Sequence, residues 1–202
     1  LADSWEIKDK GLTVDFKLNP NAKWHDGKPV TAEDVEFSFN LIRAKRFPSF
    51  MAIIGNLAGA QVIDTHTVRV TFRAPSSNSL RFIGTAPSIL PKHIWSGIAD
   101  PVNYPNLDNP IGSGPCVVAD RRDGQFVTLK NTGTHYRSNL SVDTITLRVL
   151  RDETMGILSI RRGDLDALLW NIDGAVAEEI EANAKAFPNL NVAAAALAKV
   201  VV

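Results

Sequence analysis

Apolar and polar residues alternate with a period of two in several stretches of the chain. Trp5 and Ile7 alternate with Glu6 and Lys8, and Leu12, Val14, Phe16 and Leu18 alternate with Thr13, Asp15 and Lys17. That period puts the apolar side chains on one face of a strand. Asp9-Lys10-Gly11 separates the two runs, so a hairpin with one wet face is expected. A second hairpin joins Val62–Ile63 to Val68, Val70 and Phe72 around Asp64–Thr67. A third joins Val117–Arg121 to Gln125–Lys130 across Asp123-Gly124, a favoured two-residue turn. Ile145, Leu147 and Val149 mark one more strand, and Arg69 and Arg148 fall on polar strand faces, where they are expected to be solvated.

Three segments change to the helical period. After Thr31, a good N-cap, Val35, Phe39 and Ile42 fall at i, i+4 and i+7 on one stripe. A second helix is expected from about Asp152 to Arg162, with Gly163 as its left-handed C-cap. A third starts at Asp173, carries Val176, Ile180, Ala184 and Phe187 on one face, and stops at Pro188. From Pro87 to Pro115 prolines, asparagines and glycines accumulate, and a long irregular crossing between two lobes is expected. The fold class is α+β: mixed, mainly antiparallel sheets with packed helices.

Composition narrows the function classes. The chain has 202 residues, 45% of them apolar, enough for a sizeable core. Lys+Arg and Asp+Glu are both 22, and a formally neutral chain is not steered to nucleic acid or to an anionic membrane. The one cysteine, Cys116, rules out an intrachain disulfide and a cysteine-based metal framework. The four histidines are scattered without short helical spacing, so no metal site is expected, and no cofactor motif is present. No apolar run is long enough to span a bilayer. The chain opens on a strand and closes on the apolar run Leu190–Val202, and it is expected to be an excised piece of a longer protein.

Candidate chemistry concentrates in Lys23–Ile42, where His25, Asp26, Glu33 and Asp34 lie close together. A structural account covers all of them. Asp26-Gly27 is turn chemistry, Thr31-x-x-Asp34 approximates a capping box, and acids in a first helical turn suit the helix dipole. A hydrolase would instead need paired carboxylates, such as Glu33 with Asp34 or Asp164 with Asp166. Neighbours on a helix diverge by about 100°, so Glu33 and Asp34 do not face one substrate. Gly112-Ser113-Gly114 could offer backbone N–H groups to an anion, or could be a fixed bend that admits close packing.

Four ordered motifs carry a resemblance. "LADSWEIKDKGLTVDFKLNPNAKWHDGKPVTAEDVEFSFNLI" at 1–42 resembles the signature region of the family 5 extracellular solute-binding proteins, the peptide, nickel and oligosaccharide receptors of ABC importers. "LPKHIW" at Leu90–Trp95 and "NPIGSGP" at Asn109–Pro115 are similar to later family motifs. So is Asp152-x-Thr154 followed by Gly163-Asp164-x-Asp166. The chain departs from the pattern at Cys116, where a tyrosine is usual, and in "KNTGTHY" at Lys130–Tyr136, where Asn131 is the remnant of the family's motif.

The resemblance implies a two-lobed clamp that encloses solute by hinge closure. The chain would be a partial periplasmic-binding-protein type II-like fold lacking the second lobe. Residues 1–108 would form an inserted subdomain and 109–202 part of the first lobe up to the hinge. A non-enzymatic receptor is implied, periplasmic or extracytoplasmic, with a small-molecule or peptide solute and an ABC permease as partners of the full-length protein. A hydrolase of peptides or glycosides, or a sensor or chaperone on the same fold, is the alternative. Trp170 offers a stacking wall to ligand, Asn171 a donor and an acceptor, and Asp173 a cation partner, with Phe47 and Phe50 as an apolar wall. Trp170 serves equally as core, Asp173 as an N-cap, and the two phenylalanines as packing under their loop. One jaw cannot bury most of a ligand, so weak binding by this piece is expected, with self-association through its strand edges and apolar tail.

Overall fold

The computed structural model describes residues 1–47, 50, 55–76, 78–85, 88–137, 140–168, 178 and 182. The chain forms two compact units: Leu1–Asp120 with Thr128–Ile145, and Arg121–Val127 with Thr146–Val202.

The first unit is built on a four-stranded antiparallel sheet. Its strands are β1 (Ala2–Lys8), β2 (Thr13–Leu18), β3 (Leu57–Asp64) and β4 (Thr67–Phe72), in the order β1-β2-β4-β3. The two expected hairpins are both present. They fuse because β2 pairs with β4, setting Val14 opposite Val70 and Phe16 opposite Val68. Pairing along both edges makes β2 a central strand, and its expected wet face is only partly solvated: Thr13 and Asp15 are buried with Val14 and Phe16, while Lys17 is exposed.

Asp15 is buried because cations cover it. Arg69, its cross-strand neighbour, donates from Nε to Oδ1 at 2.6 Å and from a terminal nitrogen to Oδ2 at 2.7 Å. Lys8 Nζ adds a bond at 2.8 Å. The Arg69 hydrogen bonds, opposed by desolvation and helped by Lys8, hold the Asp15 carboxyl well below the usual carboxylate range. Arg69 is therefore an ion-pair partner that stays partly solvated, as its polar strand face suggests, with its side chain 36% exposed; Arg148 is exposed.

Helix α1 (Ala32–Lys45) lies against the sheet, and Val35, Phe39 and Ile42 are all buried as the period-3.6 stripe requires. Full burial of each such side chain is worth about 1.5–3 kcal/mol. Arg46 ends the helix in the left-handed region, and its N–H donates to Ile42 O. Two short helices follow, α2 (Ser79–Thr85) and α3 (Lys92–Trp95). Helix α3 lies inside the stretch expected to be wholly irregular. A single turn is too short to show a hydrophobic period, and Pro91, in extended conformation at its N-cap, is the local cue.

The third expected hairpin is present as β5 (Cys116–Arg122) and β6 (Phe126–Asn131), followed by β7 (Thr144–Arg148), in sheet order β5-β6-β7. Gly124 takes the positive φ that the turn needs, +67°. In the second unit, helix α4 (Glu153–Arg162) begins at Asp152, whose side chain accepts the Met155 N–H at 2.8 Å, and ends at Gly163 with φ 76°. Of the third expected helix only Glu178 and Ala182 are described, and both are helical. Among the described residues no helix is long and apolar enough to cross a membrane.

Candidate functional site

The segment following Asn21 makes a tight turn. Lys23 bridges to Pro29, Trp24 N–H donates to Lys28 O at 2.8 Å, and Gly27 takes φ +86°. This turn holds four polar side chains, counting those that open α1, each with a partner far along the chain.

His25 reaches the Gly112-Ser113-Gly114 bend. Its backbone N–H donates to Gly112 O at 2.8 Å, its Nδ1 accepts the Gly112 N–H at 3.1 Å, and its Nε2 lies 3.0 Å from Gly114 O. A Cβ on residue 112 would stand 3.2 Å from the ring's Cε1. The bend therefore admits close packing, and its Gly112 N–H is spent on the histidine rather than left for an anion. Asp26 Oδ2 lies 2.7 Å from His93 Nε2 on α3, and Oδ1 accepts the Lys28 N–H. Burial pushes the Asp26 carboxyl up, but the bonds from His93 and Lys28 outweigh it and leave the group below its ordinary value.

Asp34 is the hub. Oδ2 accepts from Thr31 N–H at 2.9 Å and from Trp24 Nε1 at 3.2 Å, and Oδ1 accepts from Lys92 N–H at 2.8 Å. It caps α1 and also caps α3. One turn on, Ser38 Oγ donates to Asp34 O at 2.6 Å and accepts the Leu90 N–H at 2.8 Å. Glu33 turns away onto Lys92 Nζ at 2.8 Å, and that ammonium holds its carboxyl below the ordinary value. Glu33 and Asp34 thus bind different groups of Lys92, the ammonium and the backbone N–H, and form no acid–base pair. Asp164 and Asp166 are both exposed beside the turn after Gly163. Among the described residues no group of His, Cys, Asp or Glu is placed to hold a metal ion.

Of the expected ligand contacts, Phe47 and Phe50 lie outside this network. Phe47 and Phe50 are half-buried just past α1, with the Phe50 N–H donating to Phe47 O at 3.0 Å. Trp170, Asn171 and Asp173 lie outside the described residues. The chain leading to them is described as far as Leu168: the Asp164 N–H donates to Ser159 O at 2.8 Å, and Leu168 packs on α4 at Gly156. A Cβ at Gly156 would stand 2.8 Å from Leu168 Cδ1 and 3.3 Å from Leu150 Cδ1. The first unit also has an open, largely apolar hollow of about 720 Å³, lined by Trp5, Phe16, Phe39, Leu80, Ile83 and Arg137 among others. Neither Phe47 nor Phe50 lines it. Arg137 at its rim is held by Asp3 at 3.1 Å and by Ala2 O.

Sequence reasoning assigned the polar residues of the 23–42 stretch to local caps and turns and missed their long-range partners. Those partners lie in two of the downstream motifs: Leu90 for Ser38, Lys92 for Asp34 and His93 for Asp26 in the first, and Gly112 and Gly114 for His25 in the second.

This chain belongs to the bacterial extracellular solute-binding proteins, family 5, whose middle-region model matches residues 1–197. It is 32% identical over 169 residues to a Brucella ovis protein whose name describes it as an ABC transporter peptide-binding protein, covering 82% of this chain and 32% of that one. Among solved structures it is similar to the Bacillus subtilis oligopeptide-binding protein AppA in complex with a nonapeptide, with 27% identity and a TM-score of 0.76. That match covers 82% of this chain and 34% of AppA. It is also similar to NikZ from Campylobacter jejuni in complex with Ni(L-His), at 25% identity and a TM-score of 0.76, covering 91% of this chain and 36% of NikZ. The chain therefore spans about a third of the length of these relatives. Its mixed, antiparallel α+β architecture is part of the fold that they share, and the family is one of solute-binding proteins.

Proposed function

We propose that this chain is part of the substrate-binding component of an ABC importer, which captures a peptide-like solute outside the cytoplasm and delivers it to a membrane permease. The observation that carries this reading is the family match over residues 1–197, with peptide named for the Brucella ovis relative and for AppA. On this reading residues 1–108 are an inserted subdomain and 109–202 part of the first lobe. Trp170, Asn171 and Asp173, with Phe47 and Phe50, contact solute. The network at His25, Asp26 and Asp34 holds the scaffold and performs no chemistry. A segment spanning about a third of its relatives buries too little of a ligand for tight binding, so this chain alone holds solute weakly.

Native mass spectrometry of the complete gene product tests the reading, after purification without refolding and incubation with peptides of mixed length. Retained peptide masses that disappear in Trp170→Ala support it. Conversion of the peptides to shorter products refutes it in favour of a hydrolase. Absence of any retained peptide refutes the peptide-like solute.

A further inference from the structure

Both ring nitrogens of His25 are committed, and the commitments select one form of the ring. Nδ1 accepts the Gly112 N–H, so it carries no proton. Gly114 O can only accept, so Nε2 carries the proton. A doubly protonated ring would turn an N–H at Nδ1 towards the Gly112 N–H, donor against donor across 3.1 Å. The hydrogen bond is then lost and replaced by a repulsion. The ring has little room to adjust on that side, since it lies against the Gly112 backbone at a distance that a Cβ would crowd.

The next residue responds in the opposite sense. Asp26 faces His93 at 2.7 Å, and a second proton on His93 turns that contact into an ion pair. The other titratable groups on the elements around His25 are Lys23 and Lys28 on its own turn, Glu33, Asp34 and Glu36 at the start of α1 with Arg43 and Lys45 at its far end, Lys92 on α3, and Tyr136, which packs with the Trp24 cluster. Asp34 is spent on Thr31, Trp24 and the Lys92 N–H, and Glu36 on the Val62 N–H. Glu33 and Lys92 are spent on each other. The bend itself, Asn109–Pro115, carries no titratable side chain.

We propose that His25 and the Asp26–His93 pair form a pH-selective joint: on acidification His25 releases the Gly112–Gly114 bend, while the adjacent pair keeps and tightens its hold on α3. The bend leads through Pro115 into β5, so acid loosens the entry to that strand and leaves the α1–α3 contact intact.

The test is histidine-ring and amide NMR on the 202-residue chain from pH 8 to pH 5. Long-range nitrogen–proton spectra should show His25 as the Nε2–H tautomer at high pH. After correction for intrinsic rates, Gly112 amide protection should fall at least tenfold in step with the His25 ring titration. Protection of Ile94 and Trp95, which donate to Pro91 O, should hold or rise. His25→Gln, which offers an acceptor and a donor but does not titrate, should abolish the pH response at Gly112. His93→Gln should keep that response and lose the rise at α3. An Nδ1–H tautomer, or Gly112 protection unchanged through the ring titration of the unmodified chain, overturns the proposal whether or not either variant folds.

Discussion

Replacing Asp34 by asparagine changes one atom and cannot preserve the site. Asp34 is 5% exposed, and its carboxylate accepts from Thr31 N–H, Trp24 Nε1 and Lys92 N–H, with both oxygens in use and the Thr31 hydroxyl at 3.4 Å as a longer fourth donor. An asparagine carboxamide has one acceptor oxygen. If the oxygen faces Thr31 and Trp24, the NH₂ group faces the Lys92 N–H; turned round, it faces the other two donors. At least one buried donor loses its acceptor in either orientation, and the bonds that remain are no longer charge-assisted. A lost bond to a charged group costs about 1.5–3 kcal/mol, which sets the expected loss for Asp34→Asn. Asp34→Ala strands the two backbone N–H groups and the indole together, and the loss rises to about 3–5 kcal/mol, a large fraction of a typical domain's stability.

Urea unfolding followed by circular dichroism and by tryptophan emission measures both losses. A cycle with Trp24→Phe, which removes one donor, should give a coupling of about 1 kcal/mol, and the Trp24 indole proton should shift in the asparagine variant. Asp34→Asn within about 0.5 kcal/mol of the parent, with an unmoved indole proton, would refute the hub assignment.

Asp15→Asn should cost about 1–3 kcal/mol at pH 7, because Arg69 and Lys8 keep partial solvent contact. The folded Asp15 carboxyl lies below its ordinary value of 3.8, so its contribution is complete above that value and is lost as the pH falls further. The gap between parent and variant should stay constant from pH 7 to about 5 and shrink below 4; a gap that widens in acid would contradict the pairing. Gly156→Ala should destabilise α4 by about 1 kcal/mol despite the better helix propensity of alanine, since the added Cβ meets Leu168 and Leu150. Its methyl shifts should concentrate on those two leucines, and a gain in stability would count against the close approach. Trp5 and Ile7, each 56% exposed on edge strand β1, should drive self-association, and Trp5→Lys should reduce it in sedimentation velocity; a parent chain that stays monomeric at every concentration refutes this.

The regular elements were legible in the sequence because each is recorded in local periodicity. The alternation of Val14, Phe16 and Leu18, the stripe of Val35, Phe39 and Ile42, and the Asp152 and Gly163 caps can be read within about ten residues, and all are present in the fold. What could not be read is what joins them. Nothing near Asp15 announces that Arg69, 54 residues on, covers it, and a pattern rule leaves both on a wet face. His25 looks like a lone histidine until the Gly112–Gly114 bend is brought beside it. Helix α3 is one turn long and leaves no period to detect. The family motifs were recognisable as strings, whereas their mutual bonding is a property of the folded chain. The proposed ligand contacts at Trp170, Asn171 and Asp173 follow from the resemblance and not from any local pattern.

The long reach of these bonds also constrains the order in which the molecule can form. Thr31 and Asp34 are near one another from the start, but Lys92 lies 58 residues after Asp34, and Gly114 lies 89 after His25. At about 5–20 residues per second, a ribosome takes roughly 4–18 s to reach Gly114 after adding His25. During that interval hairpin β1–β2 and helix α1 have their own ladder, helix and capping-box hydrogen bonds, but the turn at 22–30 between them lacks its long-range partners. The first hundred residues therefore emerge as an open form that closes late, when the glycine bend arrives. A nascent chain halted before residue 112 should expose the Trp24 turn to solvent and to chaperones, and one halted after residue 116 and clear of the exit tunnel should not.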